Sequence, residues 1–538
     1  MAHFLCPIPA VAGAEVAPAI PNISLTPEDP GTTAGNGQAG KSKVPKSILI
    51  IGSGVFGLST ALSLTRHPEI PANTPITVID RSSDPDVFPA RDASSIDSSR
   101  IIRADYADAA YAELAGEAHV HWRRDLDNPD SLGGDGRYNE SGLFLAAENG
   151  ADGATVRPDG HPTGLGYTRR SWVNALALAH KEGRSLETVR LVPSAFGIQK
   201  LTGTGGIWAD WGYLNTAAGW ADAERSMRWL YERVVATKRV TFVNGTVEAL
   251  ETQTGDKEPQ QRISGARLSD GGKYAADLVI VAAGAWTPTL VDLAGAAVAT
   301  GQCVAYLHLT DEEQAKLSKI PVCLNLTDGC FVIPPRNNVL KVARHSYGYL
   351  NPQPVSHEPL SSSSHATNSS SAKTVSQPRT HVTDPSLNIP AEGSSDLRRA
   401  LRRMIPWLAD RPFFETRLCW YTDTPTGDWI IDYHPGYENL FIATGGSGHG
   451  FKFLPILGDK VVDCLLGRCP AAFREKWKWK AGVGVSGDAT RTAAGAPQEE
   501  ENVGADVAVE LSVATEDGSR GGKPGLNLSD EIAKGGKL

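Results

Sequence analysis

The segment Ser47–Leu64 reads SILIIGSGVFGLSTALSL, an apolar run that meets three closely spaced glycines and continues into an amphipathic stretch. After a strand, Gly52 permits a tight turn, Gly54 permits backbone to approach a pyrophosphate, and Gly57 permits a helix to pack closely on the strand. The leucines and alanines that follow recur at the spacing of one helical face. The segment therefore predicts a strand, a turn and a helix whose N-terminus can bind phosphate.

A second short apolar run, ITVID at 76–80, follows this helix and ends in Asp80. A carboxylate at that position can accept hydrogen bonds from a ribose 2′-OH. Strand, glycines, helix, strand and acid in this order are far more specific than the glycines alone. They predict a dinucleotide site for FAD or NAD rather than NADP, with a nucleotide-free βαβ turn as the alternative.

Composition narrows the class of protein. The chain has 538 residues, so at least two domains are expected. Its net charge of −9, with both signs interspersed, argues against nucleic-acid binding, and no apolar run reaches the length of a membrane span. The seven cysteines are scattered without metal-ligand spacing, which predicts a reducing compartment and no metal site. The chain ends Gly-Lys-Leu, close to a peroxisomal Ser-Lys-Leu signal, so both cytoplasm and peroxisome are expected compartments.

Alternating β and α patterns continue to DLVIVAAGAWTP at 277–288, a second buried strand ending in a glycine, and predict an α/β architecture. The segment from Gly212 is interpreted as a helix capped by Asn215 or Thr216. Longer β-rich segments after about residue 291 predict a substrate domain on a mixed or antiparallel sheet. The expected division is a nucleotide-binding domain (46–105, 215–290 and 415–475), a substrate domain (106–214 and 291–414), and disordered stretches at 1–45, 353–389 and 476–538.

A third strand-like run, NLFIATGG at 439–446, also ends in glycines and precedes a helical pattern. Lys452 falls at the start of that helix, where the dipole disfavours a cation. An anion near Lys452 would relieve this, so the lysine is either an anion-binding group or an exposed first-turn residue.

Five segments, in this order, resemble the monomeric sarcosine oxidase family of flavoenzymes: IIGSGVFGLSTALSL, SSRIIRADYAD, VLKVARH, CWYTDTPTGDWIIDYHP and GGSGHGFKF. The family includes fungal fructosyl amino acid, pipecolate and saccharopine oxidases. The resemblance spans residues 46–475 apart from the serine-rich insertion. It implies a Rossmann-like FAD-binding domain of the glutathione reductase and D-amino acid oxidase type, with a second substrate domain on a mixed β-sheet.

The resemblance also implies roles for individual residues. Cys419 matches the cysteine that forms a thioether to the flavin, although alone it would be interpreted as a small buried apolar residue. Lys341 matches the lysine that activates oxygen, where the alternative is an edge-strand lysine that prevents aggregation. The implied substrate-binding residues are Arg103 and Lys452 for the carboxylate, with Tyr421 and His345 in the pocket. The implied cofactor contacts are Gly52, Ser53, Gly54, Val55, Phe56, Gly57, Asp80, Arg81, Ser99, Arg100, Val247, Ala283, Gly284, Cys419, Gly446, Gly448, Phe451 and Lys452.

Three positions differ from particular members of the family. Ser95 and Ile96 stand where bacterial sarcosine oxidases have histidines, which bears on the small-substrate preference. His449 stands where fructosyl amino acid oxidases usually carry arginine, which favours the sarcosine and pipecolate side.

The implied reaction is oxidation of the C–N bond of a secondary amino acid by hydride transfer to covalently bound FAD, with O₂ reduced to H₂O₂. Clustered cations lower the pKa of an ammonium, so Arg103, Lys341 and Lys452 would favour the neutral amine without a separate base. The expected partners are a small amino acid and O₂, with no nucleic acid, membrane or metal, in a monomer. A deglycating fructosyl amino acid oxidase, an NAD-linked dehydrogenase and a catalytically silent flavoprotein are the alternatives.

Overall fold

The Ser47–Leu64 segment has the predicted conformation in the computed structural model. Strand β1 covers Ile48–Ile51, all buried, and helix α1 covers Val55–Arg66 with Gly54 at its N-cap. A Cβ on Gly57 would lie 1.8 Å from the carbonyl oxygen of Gly52. The helix and the preceding turn therefore touch backbone to backbone, and only glycine fits between them.

The structure describes residues 45–82, 88–150, 152–253, 261–355, 359–360, 373–480 and 515–535. The strands after β1 are β2 Ile76–Asp80, β3 Arg100–Ile102, β4 Tyr138–Asn139, β5 Leu143–Ala147, β6 Val189–Val192, β7 Trp211–Asn215, β8 Gly219–Ala221, β9 Val240–Asn244, β10 Val247–Gln253, β11 Gln261–Leu268, β12 Lys273–Ala275, β13 Leu278–Val281, β14 Val298–His308, β15 Val322–Asn325, β16 Cys330–Arg336, β17 Val339–Arg344, β18 Tyr349–Leu350, β19 Pro352–Pro354, β20 Thr374–Ser376, β21 Glu415–Asp423, β22 Ile430–Tyr433, β23 Tyr437–Glu438, β24 Leu440–Thr444 and β25 Leu526–Asn527. The helices after α1 are α2 Ala109–Arg123, α3 Gly164–Lys181, α4 Ala195–Thr202, α5 Ala223–Ala236, α6 Thr287–Leu290, α7 Asp311–Leu317, α8 Ala391–Met404, α9 Leu454–Leu465, α10 Arg474–Trp477 and α11 Leu528–Gly535.

A six-stranded sheet carries the dinucleotide motif, in the order β22–β24–β13–β1–β2–β9. The five strands from β24 to β9 run parallel, and β22 is antiparallel to β24. Their continuous apolar runs suit strands that are covered on both faces. Helix α1 packs between α9 and α5. The sheet confirms the predicted α/β class.

The second large sheet is mixed and has ten strands. Nine of them follow the order β25–β18–β14–β17–β16–β15–β5–β7–β6, and β21 pairs with β14 as the tenth. Strands β14, β17 and β16 are antiparallel neighbours, whereas β15 pairs with β5 in parallel. Lys341 lies on β17, which has a strand on both sides. Its alternative interpretation as an edge-strand lysine is therefore wrong.

Two sequence expectations fail at the junction of these sheets. Strand β21, at the start of a range assigned to the nucleotide-binding domain, pairs with β14 along nine residues of the mixed sheet. The segment from Gly212 forms strands β7 and β8 rather than a helix, and the helix begins after Asp222, which caps it by accepting from the Arg225 N–H. Asn215 is buried and bonded to Asp105, so strand pairing overrides the local capping signal.

The predicted disordered insertion at 353–389 is ordered over its described part. Strands β19 and β20 pair, and the Thr380 hydroxyl donates to the Asp92 carboxylate at 2.7 Å. Leu387 and Ile389 are buried in the core beside the mixed sheet. The interpretation failed because these few apolar residues lie in a polar context that has no periodicity. Residues 356–358 and 361–372 of the insertion, and residues 1–44 of the predicted N-terminal disorder at 1–45, lie outside the described residues.

The predicted disordered tail at 476–538 is also ordered where the structure describes it. Trp477 is fully buried, β25 pairs with β18, and α11 packs against α8. A Cβ on Gly521 would lie 2.0 Å from the carbonyl oxygen of Asp328. The glycines of this segment therefore permit close packing, although their composition resembles that of a flexible linker. Residues 481–514 and 536–538 lie outside the described part.

No helix in the described ranges combines the length and the apolar character that a membrane crossing requires.

The order of the terminal segment can be tested at Leu528, which is fully buried in the core beside the mixed sheet. We expect Leu528→Ala to destabilise the protein by about 2–5 kcal/mol, because it leaves a cavity, and to lower the melting temperature by several degrees. The matched control is Leu186→Ala, at a side chain that is half exposed. Equal melting temperatures for the two variants would contradict the docking of α11.

Candidate active site

A cleft of about 220 Å³ lies at the carboxyl ends of the parallel strands. Ligands of open α/β sheets bind at this edge. The turns after β1, β2, β13 and β24 all line it, so the glycine-ended strands noted in the sequence converge on one site. The predicted cofactor residues in its lining are Gly52, Gly54, Val55, Phe56, Asp80, Arg81, Arg100, Val247, Ala283, Gly284, Gly446, Gly448 and Phe451.

The glycine turn leaves room for a bound group. Gly52 has φ +102°, in the left-handed region, and a Cβ there would meet the carbonyl oxygen of Ala282 at 2.5 Å. A Cβ on Gly54 would have no atom within 4 Å, so this glycine borders open space at the start of α1. The unpaired N–H groups of the helix N-terminus are thus open to a phosphate, as the sequence predicts.

Asp80 lies at the end of β2 and is tied to the turn. Its carboxylate accepts from the Ser53 N–H at 2.8 Å and from the Ser53 hydroxyl at 2.6 Å. Burial raises its pKa, although these bonds and neighbouring Arg81 oppose the rise. Arg81 lies 4.4 Å above the Trp286 ring and pairs with Asp92. Ser53 and Gly57 are not in the cleft lining and support the turn from behind.

An inner cavity of about 80 Å³ adjoins the cleft, and both are lined by Arg100, Tyr421, Gly448 and Phe451. The structure brings together here every residue that the sequence resemblance assigned to catalysis, and six of the assigned cofactor contacts. The catalytic set is Arg103, Lys341, His345, Tyr421 and Lys452, and the cofactor contacts are Ser99, Arg100, Cys419, Gly448, Phe451 and again Lys452.

Asp97 is a functional candidate that the sequence reasoning missed. Its carboxylate accepts from Lys341 Nζ at 2.6 Å, from the Tyr306 hydroxyl at 2.6 Å and from Arg100. Its pKa is held well below the usual range by Lys341 and Arg100, which outweigh the opposing effect of burial. Burial lowers the pKa of Lys341 to about 8 although Asp97 opposes it. An acidic residue three positions before Arg100 was the available signal.

Arg103 is buried without an ion-pair partner among the described residues. Its Nη1 atom is buried and has no hydrogen-bond partner there. The guanidinium lies 5.1 Å from the Tyr106 ring and near Tyr167. An unpaired buried cation is costly, so this geometry is suited to an incoming anion.

Lys452 starts a directed chain of hydrogen bonds. Its Nζ donates to the Tyr106 hydroxyl at 2.8 Å, which lies 3.1 Å from His449 Nδ1, while His449 Nε2 lies 2.8 Å from the carbonyl oxygen of Gly427. Because a carbonyl only accepts, Nε2 carries the proton and Nδ1 accepts from Tyr106. Burial, with Lys452 as the next cause, lowers the pKa of His449 well below its usual value. Tyr106 was also missed by the sequence reasoning.

Lys452 itself has a pKa well below its ordinary value, first because of burial and then because of Arg103. It precedes α9, in a 3₁₀ turn at Gly450–Phe453, and is buried. The alternative of an exposed first-turn lysine is therefore wrong.

An outer cavity of about 440 Å³ continues from the inner one, and both are lined by Arg103, His345 and His449. It contains charged groups of both signs, among them Asp108, Asp428, Lys476, Glu516, Asp517 and Arg520. The terminal segment 515–520 thus forms part of its wall.

The described residues fit an FAD molecule by their own geometry. The open glycine turn and helix N-terminus suit a pyrophosphate, Asp80 borders the same cleft, and the cleft shares four lining residues with the cation-lined inner cavity.

Comparisons with known proteins agree with this site. The family model described as FAD dependent oxidoreductase (DAO) matches residues 47–464. The amino acid oxidase imqH of Aspergillus flavus is 32% identical over 458 residues, covering 78% of this chain and 93% of that protein. The L-saccharopine oxidase of Schizosaccharomyces pombe is 28% identical, covering 81% of this chain and 93% of that protein. A thermally stable mutant of fructosyl peptide oxidase superposes with a TM-score of 0.69 at 25% identity, covering 91% of this chain and 98% of that one.

The resemblance drawn from the five sequence segments is thereby confirmed at the level of the sarcosine oxidase-like group, and FAD is the cofactor. An NAD-linked dehydrogenase is excluded as an interpretation of the glycine motif. The chain belongs to the DAO family of FAD-dependent oxidoreductases.

Proposed function

We propose that this protein is an oxidase of N-substituted or cyclic amino acids, oxidising the C–N bond with covalently bound FAD and reducing O₂ to H₂O₂. One observation carries the proposal. Arg103 and Lys452 are buried cations in one small cavity beside the dinucleotide cleft, and neither has a carboxylate partner among the described residues.

The carboxylate of an amino acid substrate would complete this pair. Arg103 has the buried Asp105 carboxylate nearby but no carboxylate in direct contact among the described residues. Substrate binding supplies that direct contact, and a guanidinium can hold a carboxylate through two parallel hydrogen bonds. Tyr106 and Tyr167 pack against Arg103 and limit its orientations. The site therefore fixes the α-carbon end of the substrate in both position and direction.

The same cations keep the substrate amine neutral. An ammonium in this cavity is desolvated and lies near the Arg103 guanidinium, and both effects favour the neutral amine. A neutral amine has the lone pair that assists oxidation of the adjacent C–H bond. His345 and His449 are held neutral too, so neither histidine adds a positive charge that repels the substrate cation at the entrance.

FAD, when bound, supplies the two-electron acceptor for the substrate. Lys341 places a positive charge beside the cleft, and Asp97 holds its ammonium at 2.6 Å in a fixed orientation. A preorganised charge of this kind stabilises the negative charge that oxygen acquires on reduction. The product imine would be hydrolysed after it leaves the buried cavity for water.

Cys419 is placed suitably for covalent attachment. It is buried at the boundary of the inner cavity, with its Sγ atom 3.7 Å from Arg100 Nη2 and 3.8 Å from the carbonyl oxygen of Ser94.

The outer cavity bears on the choice of substrate. Sarcosine would leave its 440 Å³ of charged space unused, whereas a substrate with a long polar substituent on nitrogen would fill it. The saccharopine oxidase relative favours the same substrate type. The likeness to a fructosyl peptide oxidase supports a deglycating activity as the second candidate.

A substrate panel tests the proposal. We expect peroxide release with saccharopine to exceed that with pipecolate, sarcosine and fructosyl-lysine, because only saccharopine combines the α-carboxylate with a charged N-substituent. An oxygen electrode measures the O₂ consumed, and a coupled peroxidase assay measures the H₂O₂ released. Turnover of fructosyl-lysine alone would support the deglycating candidate, and no flavin bleaching with any amine would indicate a silent flavoprotein.

Within this panel, Arg103→Met should lower kcat/KM by about a hundredfold or more with each carboxylate-bearing substrate, because a buried charge pair loses one partner. Arg402→Met, at an exposed surface arginine, is the control and should match the wild type. Unchanged kcat/KM in Arg103→Met would contradict the assigned carboxylate site.

The covalent bond gives a separate prediction. We expect the yellow colour to remain with the acid-precipitated protein, and Cys419→Ala to release it into the supernatant. Cys323→Ala, at a buried cysteine of β15 outside the cavities, is the matched control and should keep its flavin. Colour that leaves the wild-type protein on precipitation would rule out the thioether.

Lys341 should give the oxygen reaction a pH dependence. Because burial lowers its pKa to about 8, the ammonium is present below that pH and is lost above it. We expect kcat/KM for O₂ to fall as the pH rises through about 8, and to be lower by about a hundredfold and flat in this range for Lys341→Met.

Asp97→Asn sharpens this test. The variant removes the negative charge that raises the pKa of Lys341, so the falling limb should move to lower pH. A limb that stays in place in both Asp97→Asn and Lys341→Met would assign the titration to another group.

A further inference from the structure

The terminal segment brings an arginine into the wall of the active site. Arg520 is almost completely buried, with its side chain 1% exposed, and it lines the outer cavity. It lies beyond residue 464, where the match to the family model ends. The arginine is therefore contributed by a part of the chain that the family match does not cover.

The segment is anchored on the residues that follow β17. The Gly521 N–H donates to the carbonyl oxygen of His345 at 3.0 Å, and the Tyr347 N–H donates to the carbonyl oxygen of Gly521 at 3.2 Å. Gly521 packs against Asp328 too closely for any side chain. The backbone of Arg520 is thus fixed directly beside His345.

The guanidinium is held at one end and faces the histidine at the other. Nη2 donates to Asp423 at 2.6 Å and to the carbonyl oxygen of Ser447 at 3.0 Å. Asp423 in turn accepts from the Thr300 hydroxyl at 2.6 Å. Nη1 donates to the carbonyl oxygen of Ser346 at 3.4 Å, and it also lies 3.3 Å from His345 Nδ1.

This last contact has one chemical interpretation. A guanidinium has no acceptor, so Nδ1 must be the unprotonated nitrogen of the ring. The proton of the neutral imidazole then sits on Nε2. His345 lines both the inner and the outer cavity, so Nε2 is the ring nitrogen left to a bound molecule.

We propose that Arg520 is a positioning residue for His345, holding it as the neutral Nε2–H tautomer that donates a hydrogen bond to the substrate. The inference rests on the proposed function in treating these cavities as the substrate site. It extends that function by making the terminal segment part of the active site.

The electrostatic surroundings agree with a neutral ring. Burial lowers the pKa of His345 well below its usual value, and the next cause is Arg520. The charged and titratable groups around it belong to several elements. They are Arg520 and Asp517 on the terminal segment, Arg103 after β3, Lys341 and Arg344 on β17, Cys419, Tyr421 and Asp423 on β21, and His449 and Lys452 before α9.

Nuclear magnetic resonance of the full-length holoenzyme with ¹⁵N-labelled histidine tests the proposal without using turnover, with His345→Asn assigning the signal. We expect the wild-type ring of His345 to be the Nε2–H tautomer and not to protonate down to pH 6. In Arg520→Gln, the Nδ1–H tautomer and the protonated ring should gain population, whereas Arg520→Lys should restore part of the wild-type pattern. Arg402→Gln, at an exposed arginine, is the control.

Kinetics supply the second readout. Loss of one neutral hydrogen bond should raise KM about fivefold in Arg520→Gln, with kcat changed much less, and His345→Asn should remove most of the further effect of Arg520→Gln. A wild-type ring protonated on Nδ1, or a His345 spectrum identical in the wild type and Arg520→Gln, would overturn the proposal. Both spectral results are independent of which amine the enzyme oxidises, because the spectra are recorded without turnover. A correct tautomer with no turnover of any amino acid would instead contradict the proposed function.

Discussion

Positive charge without a direct ion-pair partner among the described residues, in a buried cavity where Asp105 is the nearby carboxylate, is the constraint on which the site depends. Transferring a guanidinium or an ammonium from water into a protein interior costs several kcal/mol unless a counter-charge and hydrogen bonds replace the water. Arg103 has an unsatisfied Nη1, and Lys452 donates only to neutral oxygens. The fold accommodates these cations by surrounding them with tyrosine faces and by the lowered pKa of the lysine. An anionic ligand removes the remaining cost of burying these cations, and this relief contributes to the free energy of ligand binding.

Other cations around the cavities are treated differently. Lys341 and Arg100 share Asp97, and Arg520 is paired with Asp423. These pairs fix side chains at stated positions and leave little affinity for a further anion. The contrast between paired and unpaired cations therefore distinguishes two functions. Paired cations orient other groups and supply a steady field, and the unpaired ones are the carboxylate-binding groups of the proposed function.

How well a residue's role could be predicted from the sequence depends on whether the residue acts through its neighbours in the chain or through distant partners. Gly52, Gly54 and Gly57 act through local backbone geometry. Because that geometry depends on consecutive residues, it could be predicted from the sequence. The resemblance brought Lys341, Cys419 and Lys452 to one site correctly, because short motifs carry them. Tyr106 was missed although it lies inside the quoted motif SSRIIRADYAD, and Asp97 directly precedes that motif. Both were missed because their importance comes from partners more than 200 residues away in sequence.

Composition is most misleading at the terminal segment. Glycine has two opposite uses in proteins, since it allows a chain to be flexible and also allows two backbones to touch. Gly521 belongs to the second use, because Asp328 occupies the space that any Cβ would need. A glycine-rich sequence next to an arginine does not show which of these two uses applies, because the answer depends on the surface against which the segment packs. That surface is the strand end bearing His345, so the feature that made the segment resemble a linker is what lets it reach the active site.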